Sequence, residues 1–340
     1  MVVDRPTPRL ADVASAAGVS LATASRALAG REGVSARIAD HVRAVAADLG
    51  YVPNAHARAL AGGGAPIVGL VVHDVADPYF AEISRGVLRV AAEHGLLVLI
   101  NQSEREPGTE LARIRSLRAN RVGAIVLAGS GYTDATAERE KAAELVAFRA
   151  SGGRVALVGR HHAPVDAVLP DNRAGGATAA RHLLALGHRD IAVVAGPERL
   201  TTVADRLEGA AEVLGAGGAS VTVEHDDFSR EGGAAATVRV LAQRPRTTAL
   251  LALTDLMAIG SLSVLRDAGR SVPGDVSVIG FDDIPVAADL APALTTVRLP
   301  MAAMGAAAME LTLRPPARRP RRKRTGHDLI VRASTGPPDT

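Results

Sequence analysis

The chain has 340 residues, no cysteine and a formal net charge of +3, from 39 Lys and Arg against 36 Asp and Glu. Its length exceeds what one hydrophobic core usually serves, so it predicts two or three domains, and the lack of cysteine excludes disulfides and thiolate metal sites. Asp4 and Arg5 precede any apolar run, and no apolar segment approaches the ~20 residues that cross a bilayer, so we expect a cytoplasmic protein with no membrane partner.

The first predicted elements are two short helices and the tight turn between them, in residues 10–28. Apolar residues recur at helical spacing in the first helix, and Gly18 supplies the turn. Ser20 is placed to cap the second helix by accepting a hydrogen bond from the backbone of Thr23. The layout is typical of a helix-turn-helix, although a helical pair of this kind can also simply pack against another part of a protein.

A third helix is predicted to begin at Val34-Ser35 and to stop at Gly50. Two runs then carry a resemblance, Ala11-Asp12-Val13-Ala14 in the first helix and Gly50-Tyr51-Val52-Pro53-Asn54 after the third. With these motifs the chain resembles the LacI/GalR family of bacterial transcription regulators, from about residue 8 to about residue 335.

The resemblance implies how the N-terminal part would bind DNA. Residues 54–61 match the family's hinge helix, which orders on operator DNA, and Leu60 matches the leucine that wedges into a minor-groove step. The outward face of the second predicted helix would enter the major groove. The predicted DNA contacts are Ser20, Leu21, Ala22, Thr23, Ser25, Arg26, Asn54, His56, Arg58 and Leu60.

Apolar runs of strand length alternate with amphipathic helices after three consecutive glycines at residues 62–64. The runs are 67–72, 96–100, 122–127, 155–158, 191–195, 249–253 and 276–280. Strands that alternate with helices predict doubly wound parallel sheets, in which ligands bind beyond the carboxyl ends of the strands. The predicted fold is therefore an all-α headpiece followed by an α/β core.

The resemblance refines the core into two doubly wound subdomains of the periplasmic-binding-protein type, with three chain crossings and an effector held in the cleft. The implied domains are a helix-turn-helix headpiece at 8–53, a hinge helix and linker at 54–64, and an effector-binding and dimerisation core at 65–335. Within the core, the N-subdomain would take about 65–168 and 298–323, and the C-subdomain about 169–297 and 324–335.

Loops that follow predicted strands supply the candidate effector site. Tyr79 and Phe80 follow the first core strand, and at least one of them is expected to contact the ligand, although packing in the core would also explain an aromatic pair. Arg206 offers a planar fork of donors that suits carbonyls, carboxylates or paired hydroxyls, and Asp282 is its expected counterpart across the effector. The alternative for Arg206 is a surface ion pair with Asp205 or Glu208.

Further polar residues complete the candidate set. Asp255 is an alternative cap of the helix that follows it, and Asp171 is a ligand or hinge candidate near the first crossing. The full set of predicted effector contacts is Asp74, Asp77, Tyr79, Phe80, Arg160, Asp171, Thr202, Arg206, Thr254, Asp255, Phe281 and Asp282. Acids and arginine around one or two aromatics favour a neutral polyhydroxy ligand.

One basic run remains, at residues 318–324. Prolines before and within it favour a solvated surface loop over a nucleic-acid patch. The histidines are scattered, and we find no phosphate loop and no nucleophile elbow, so neither catalysis nor a metal or other cofactor is predicted.

The predicted function is sequence-specific, effector-controlled DNA binding, as a repressor, by a homodimer on a near-palindromic operator. The expected effector is a sugar or sugar derivative. The alternatives are a purine- or nucleoside-responsive regulator of the same family and a sugar-binding protein without a DNA function.

Overall fold

The computed structural model describes residues 8–30, 32–51 and 67–338. The chain divides into two compact units, residues 1–66 and 67–340. Four predicted hinge contacts, Asn54, His56, Arg58 and Leu60, lie outside the described residues.

In its described residues, 8–30 and 32–51, the N-terminal unit contains three helices. They are α1 (Leu10–Ala16), α2 (Leu21–Leu28) and α3 (Ala36–Asp48), and they pack around the buried side chains of Val13, Ala24 and Val42. Gly18 has a φ of +65°, in the left-handed region that glycine adopts without strain, which allows the tight turn. The predicted cap of α2 is confirmed, because the Thr23 amide donates to Ser20 Oγ at 3.1 Å.

The first core sheet contains six parallel strands in the order β11-β5-β4-β3-β1-β2. The strands are β1 (Ile67–Val72), β2 (Leu97–Gln102), β3 (Ala124–Ala128), β4 (Arg154–Val158), β5 (Asp166–Pro170) and β11 (Arg322–Thr325). Helices α4 (Pro78–Glu93) and α11 (Met301–Leu313) pack together on one face, and α5 (Pro107–Ala119) and α6 (Ala135–Ala150) cover the other. Its central strands are buried on both faces, as parallel sheets require.

The second core sheet has the order β12-β10-β9-β8-β6-β7, with only β12 antiparallel to its neighbour. Its strands are β6 (Asp190–Ala195), β7 (Ser220–His225), β8 (Ala249–Ala252), β9 (Ser277–Asp282), β10 (Thr295–Arg298) and β12 (Asp328–Ile330). Helices α7 (Asn172–Ala185) and α8 (Thr201–Ala216) form one packed pair, and α9 (Arg230–Gln243) and α10 (Asp255–Asp267) form another. The predicted fold class is confirmed.

The chain passes between the two sheets three times: from β5 to α7, from β10 to α11, and from β11 to β12. Neither half of the core is therefore one continuous segment. The basic run predicted to be a surface loop is a loop only up to Arg321, because Arg322–Thr325 pairs with β5 as the edge strand β11. The prediction of a loop was therefore wrong for residues 322–324. Their charged side chains do not form the apolar pattern of a strand, although their backbone pairs with β5 and completes the sheet.

Glycines set the spacing of the helix pairs. A Cβ added to Gly176 in α7 would lie 2.1 Å from the carbonyl oxygen of Arg206 in α8, and one added to Gly209 in α8 would lie 1.9 Å from that of Arg173. The pairs α4/α11 and α9/α10 also have a glycine on each side, at Gly86 and Gly305 and at Gly233 and Gly260. Backbone therefore packs directly on backbone in all three pairs.

Candidate functional site

A cavity lies between the carboxyl ends of the two core sheets. The first sheet contributes side chains from the loops after β1, β2 and β3 and from the start of α4, and the second contributes them from the segments that end or follow β6, β7, β8 and β9. The lining residues are His73, Asp77, Tyr79, Phe80, Arg105, Ser130, Leu200, Thr202, Arg206, Phe228, Thr254 and Asp282. Such a position is where doubly wound sheets bind ligands.

Arg206 is the best-anchored side chain of the cavity. It projects from α8 and is 2% exposed, which rules out the surface ion pair considered as its alternative. Its guanidinium donates to Asn172 Oδ1 at 3.0 Å, to the carbonyl of Leu253, and to Asp282 Oδ1 at 2.8 Å. The group also lies over the ring of Phe281, with Cζ 3.8 Å from the centroid. Three hydrogen bonds and a stacked ring fix its plane before any ligand arrives.

Asp282 ends β9 and is the carboxylate partner of Arg206. Its φ is +114°, in a backbone region that residues other than glycine rarely adopt. Burial is the main cause that raises the pKa of Asp282 to about 7, while the Arg206 charge opposes the rise and Asp77 adds to it. A strained, buried carboxylate held against an arginine is poised to accept a hydrogen bond from a ligand.

Aromatic rings form the apolar part of the cavity. The Tyr79 and Phe80 centroids are 5.0 Å apart and edge to face, and the His73 ring meets Phe80 edge to face at 5.7 Å. Asp77 caps α4 by accepting from the Tyr79 amide, at 3.0 Å, and forms an ion pair with Arg105 at 3.0 Å. Both predicted aromatics therefore line the site, as Asp77 does.

Five lining residues are not among the contacts that the sequence predicts: His73, Arg105, Ser130, Leu200 and Phe228. Arg105 and Phe228 contact one another across the cleft, with the guanidinium carbon 6.0 Å from the ring centroid. Each follows the carboxyl end of a strand, β2 and β7. That position was a signal for Arg105, whereas β7 itself was not among the predicted strands.

Five predicted effector contacts do not line the cavity. Asp74 accepts from the Ala76 amide, and Arg160 forms an ion pair with Asp205 at 2.7 Å. Oδ2 of Asp171 lies 3.5 Å from Nδ1 of His327.

The other two, Asp255 and Phe281, lie behind the residues that line the cavity and contact them or their neighbours. Asp255 accepts from the Ile284 amide and the Thr296 hydroxyl, and Phe281 lies beneath Arg206. The predicted alternative role of Asp255 as a helix cap is wrong, because the Met257 amide donates to Thr254 Oγ1 at 3.3 Å. Thr254 is thus the N-cap of α10 and also lines the cavity.

His73 connects the cavity to Ser103 and Ser130, two polar residues that are buried in the first half of the core. Its Nδ1 lies 2.9 Å from Ser103 Oγ, and its Nε2 accepts from the Ser130 amide at 3.0 Å. Burial, followed by the charge of Arg105, lowers the pKa of His73 to about 3, so the ring is neutral. Ser130 in turn accepts from the Thr202 amide at 2.9 Å, which ties the loop after β3 to the start of α8 across the cleft.

The N-terminal unit presents the predicted DNA-contact face on α2. Leu21 is 54% exposed, Ala22 and Arg26 are exposed, and Thr23 and Ser25 are half-buried. Ser20 is exposed and is the N-cap of α2. These six side chains therefore lie along the start and outer face of one helix.

A helix-turn-helix unit followed by a two-sheet core with a ligand cavity defines a bacterial DNA-binding regulator of the periplasmic-binding-protein-like type. Residues 9–54 match the model of bacterial regulatory proteins of the lacI family, and residues 180–335 match that of a periplasmic binding protein-like domain. The chain belongs to the LacI family of transcriptional regulators.

Named relatives match the chain over most of its length. The transcriptional regulator MalR of Streptomyces coelicolor is 34% identical over 316 residues, covering 90% of each chain. The regulator GalS of Salmonella typhimurium is 37% identical over 311 residues, covering 89% of this chain and 88% of its own.

Solved structures agree with these relatives. The lac repressor dimer bound to operator and the anti-inducer ONPF has a TM-score of 0.82 at 25% identity, covering 97% of this chain and 99% of its own. The complex of the regulator CelR with cellobiose has a TM-score of 0.71 at 31% identity, covering 96% and 99%. Among the described residues, no helix is long and apolar enough to cross a membrane.

Proposed function

We propose that this protein is a repressor that binds a near-palindromic operator as a homodimer and whose DNA affinity is controlled by a small effector held in the core cavity. The observation that carries the proposal is the buried Arg206–Asp282 pair, which lines a cavity between two sheets in a chain that also has a helix-turn-helix unit. The function is binding and not catalysis, exercised on DNA in the cytoplasm.

The effector we propose is a sugar or a sugar derivative. Arg206 and Arg105 supply donors, Asp77 and Asp282 supply acceptors, and Tyr79 and Phe80 offer flat apolar surface. Hydroxyl groups both donate and accept, so a polyhydroxy ligand satisfies both kinds of partner, and the charges of the four groups balance. A structural neighbour is titled as a cellobiose complex and another as carrying bound ribose, which favours a carbohydrate over a nucleoside.

The homodimer is supported by an exposed apolar edge on the first core sheet. Leu97 is 61% exposed, and Leu99 and Ile100 are each 44% exposed, all on the edge strand β2, while Leu88 of α4 is 43% exposed. An uncovered edge strand with large apolar side chains is unstable towards association, so a second copy is its expected cover. A structural neighbour is a lac repressor dimer.

In the proposed mechanism each protomer places α2 in a major groove, and residues 54–61 with Leu60 contact the minor groove between the half-sites. Effector binding changes the arrangement of the two subdomains of the core relative to one another. The proposed limits are about 65–168 and 298–323 for the N-subdomain, and about 169–297 and 324–335 for the C-subdomain. A coupling of ~1–3 kcal/mol would alter operator affinity roughly 5–150-fold.

Selection of fragmented genomic DNA by the purified protein, followed by sequencing of the retained fragments, tests the proposal. We expect enrichment of one near-palindrome, and we expect one carbohydrate among a panel of sugars and nucleosides to change its affinity. Retention of no sequence, with and without a cell metabolite extract, would contradict DNA control. A response to nucleosides and not to sugars would establish the alternative effector class.

A further inference from the structure

The amino edge of the first core sheet is unusually basic. Because its six strands are parallel, they all begin at this edge, and the helices α5, α6 and α11, which run back against the strands, end there. The edge carries nine arginines: Arg115, Arg118, Arg121, Arg149, Arg154, Arg314, Arg318, Arg319 and Arg321. We call this set the arginine edge.

Two neighbouring hollows that share Gly153 organise most of the arginine edge. Three arginines and Glu144 line the first, and four arginines and Asp166 line the second. Glu144 pairs with Arg115 and Arg118, and Asp166 pairs with Arg321 at 2.9 Å. The carboxylates of the hollows are therefore already neutralised, and a surplus of positive charge remains.

Ion pairs and favourable positions at the ends of helices account for only some of these arginines. Arg118 and Arg149 lie in the last turns of α5 and α6, where cations favour the helix dipole. Arg121, Arg154, Arg314 and Arg318 form no ion pair with any residue in the described ranges. Arg154 is half-buried and the other three are exposed, so all four are available to a partner.

A surface with surplus positive charge suits a polyanion as its partner. The covalent path of the chain indicates that this polyanion is duplex DNA. The chain enters the core at Ile67, the first residue of β1, and therefore at the arginine edge. The fifteen residues 52–66 that join it to the N-terminal unit span at most about 50 Å when fully extended. Duplex DNA held by that unit brings a phosphate charge every ~1.7 Å of its axis within this tether.

We propose that the arginine edge binds the phosphate backbone of the duplex outside the base pairs that the helix-turn-helix reads. The inference rests on the proposed DNA binding and adds a second, sequence-independent contact surface on the core. Because phosphate contacts release counterions, this surface adds affinity that falls with salt and that depends on the length of the flanking duplex.

The test uses the full-length protein and the near-palindrome recovered by genomic selection, in one duplex trimmed to the palindrome and one with about 15 flanking base pairs on each side, a length that the tether can reach. The triple variant Arg154→Gln, Arg314→Gln, Arg318→Gln neutralises arginines outside the ion pairs. The matched control is Arg189→Gln, Arg246→Gln, Arg270→Gln, which are exposed arginines at the amino edge of the second sheet.

We expect the wild type to bind the long duplex more tightly than the short one, with a steeper dependence on salt. The triple variant should bind the short duplex as the wild type does and lose the gain from the flanks. Its salt slope on the long duplex should fall by about 0.9 for each lost phosphate contact, which is about 3.5-fold in affinity per contact between 50 and 200 mM salt. The control variant should keep the gain.

Equal binding of both duplexes by the wild type, or a flank gain kept by the triple variant, would overturn the inference and leave an acidic protein as the partner to seek. Binding of neither duplex by the wild type would overturn the proposed function as well. Normal binding of the short duplex shows that the variant is folded. If it does not fold, Arg318→Gln with Arg319→Gln, both in an exposed loop, repeats the test.

Discussion

The ion pair between Arg206 and Asp282 is buried, and each partner compensates the charge of the other. Replacing Asp282 with Ala leaves the guanidinium in a nearly dry site with one donor unpaired, so we expect the free energy of unfolding of the core to fall by about 3–5 kcal/mol. Arg160→Ala is the control, because it removes an Arg–Asp pair whose arginine is 48% exposed, which costs about 1 kcal/mol or less. Urea denaturation measures both, and equal losses would contradict the structural importance of the buried pair.

His73 makes an acid-sensitive contribution to the stability of the core. Its pKa in the folded state is about 3, below the ordinary 6.5, so between these values the unfolded chain binds a proton that the folded chain does not. The contribution of His73 to stability is therefore complete above pH 6.5 and is lost as the pH falls towards 3, by about 2 kcal/mol at pH 5. Asp282, whose pKa is raised to about 7, acts in the opposite direction over this range. The buried His161, whose pKa is also lowered, acts in the same direction.

The variant His73→Asn should lose part of this acid sensitivity, and the exposed His162→Asn should keep it. The measurement is the urea midpoint of each protein at pH 7 and pH 5. A His73→Asn protein whose stability changes between pH 7 and pH 5 as that of the wild type does would contradict this contribution of His73.

At the scale of elements, the contact of α7 with α8 determines where Arg206 lies. Gly176→Ala would force a Cβ against the Arg206 carbonyl, so α8 must move, and we expect a loss of about 1–3 kcal/mol together with weaker effector binding. A Cβ added at Gly215 in α8 meets no atom within 4 Å, so Gly215→Ala should be neutral or stabilising by up to about 1 kcal/mol. Thermal unfolding and effector titration of both variants check this, and equal behaviour would refute the spacing role.

The cap of α2 gives a second prediction about an element. Ser20→Ala removes the hydrogen bond to the Thr23 amide and should destabilise the N-terminal unit by about 1 kcal/mol, with a loss of operator affinity. Ser35 is the N-cap of α3 but makes no capping hydrogen bond with its side chain, so Ser35→Ala should have a smaller effect. Gel-shift titration and the melting of the N-terminal unit compare the two. A larger loss in Ser35→Ala would contradict the prediction.

The elements also show where sequence reasoning succeeds. The strands β1, β3 and β8 are continuous apolar runs because both of their faces are buried, and their pattern alone predicts them. The strands β7 and β11 are half-buried or exposed, so their polar side chains gave no such signal. Arg206 and Asp282 were found through a resemblance, whereas the Ser130 contact with Thr202 joins residues 72 positions apart and had no local pattern.

At the scale of the whole molecule, the exposed edge of β2 predicts the oligomeric state. The double variant Leu97→Glu, Leu99→Glu places two charges on the apolar edge of each protomer, so we expect dissociation to monomers and loss of tight operator binding. Val238→Glu in α9 is the control, because this valine is 55% exposed but lies in the other half of the core. Sedimentation velocity distinguishes the states. A double variant that remains dimeric would place the interface elsewhere.

The interleaved halves of the core also constrain how the protein is made. The pairing of Arg322 with Ala167 joins residues 155 positions apart, so the first sheet lacks its last strand until nearly the whole chain has left the ribosome. During that interval the edge of β5 that faces away from β4 has no partner strand, and such an edge is open to pairing with another nascent chain. Slow translation of the region after residue 170 would lengthen the interval, and the yield of native protein should depend on how quickly β11 arrives.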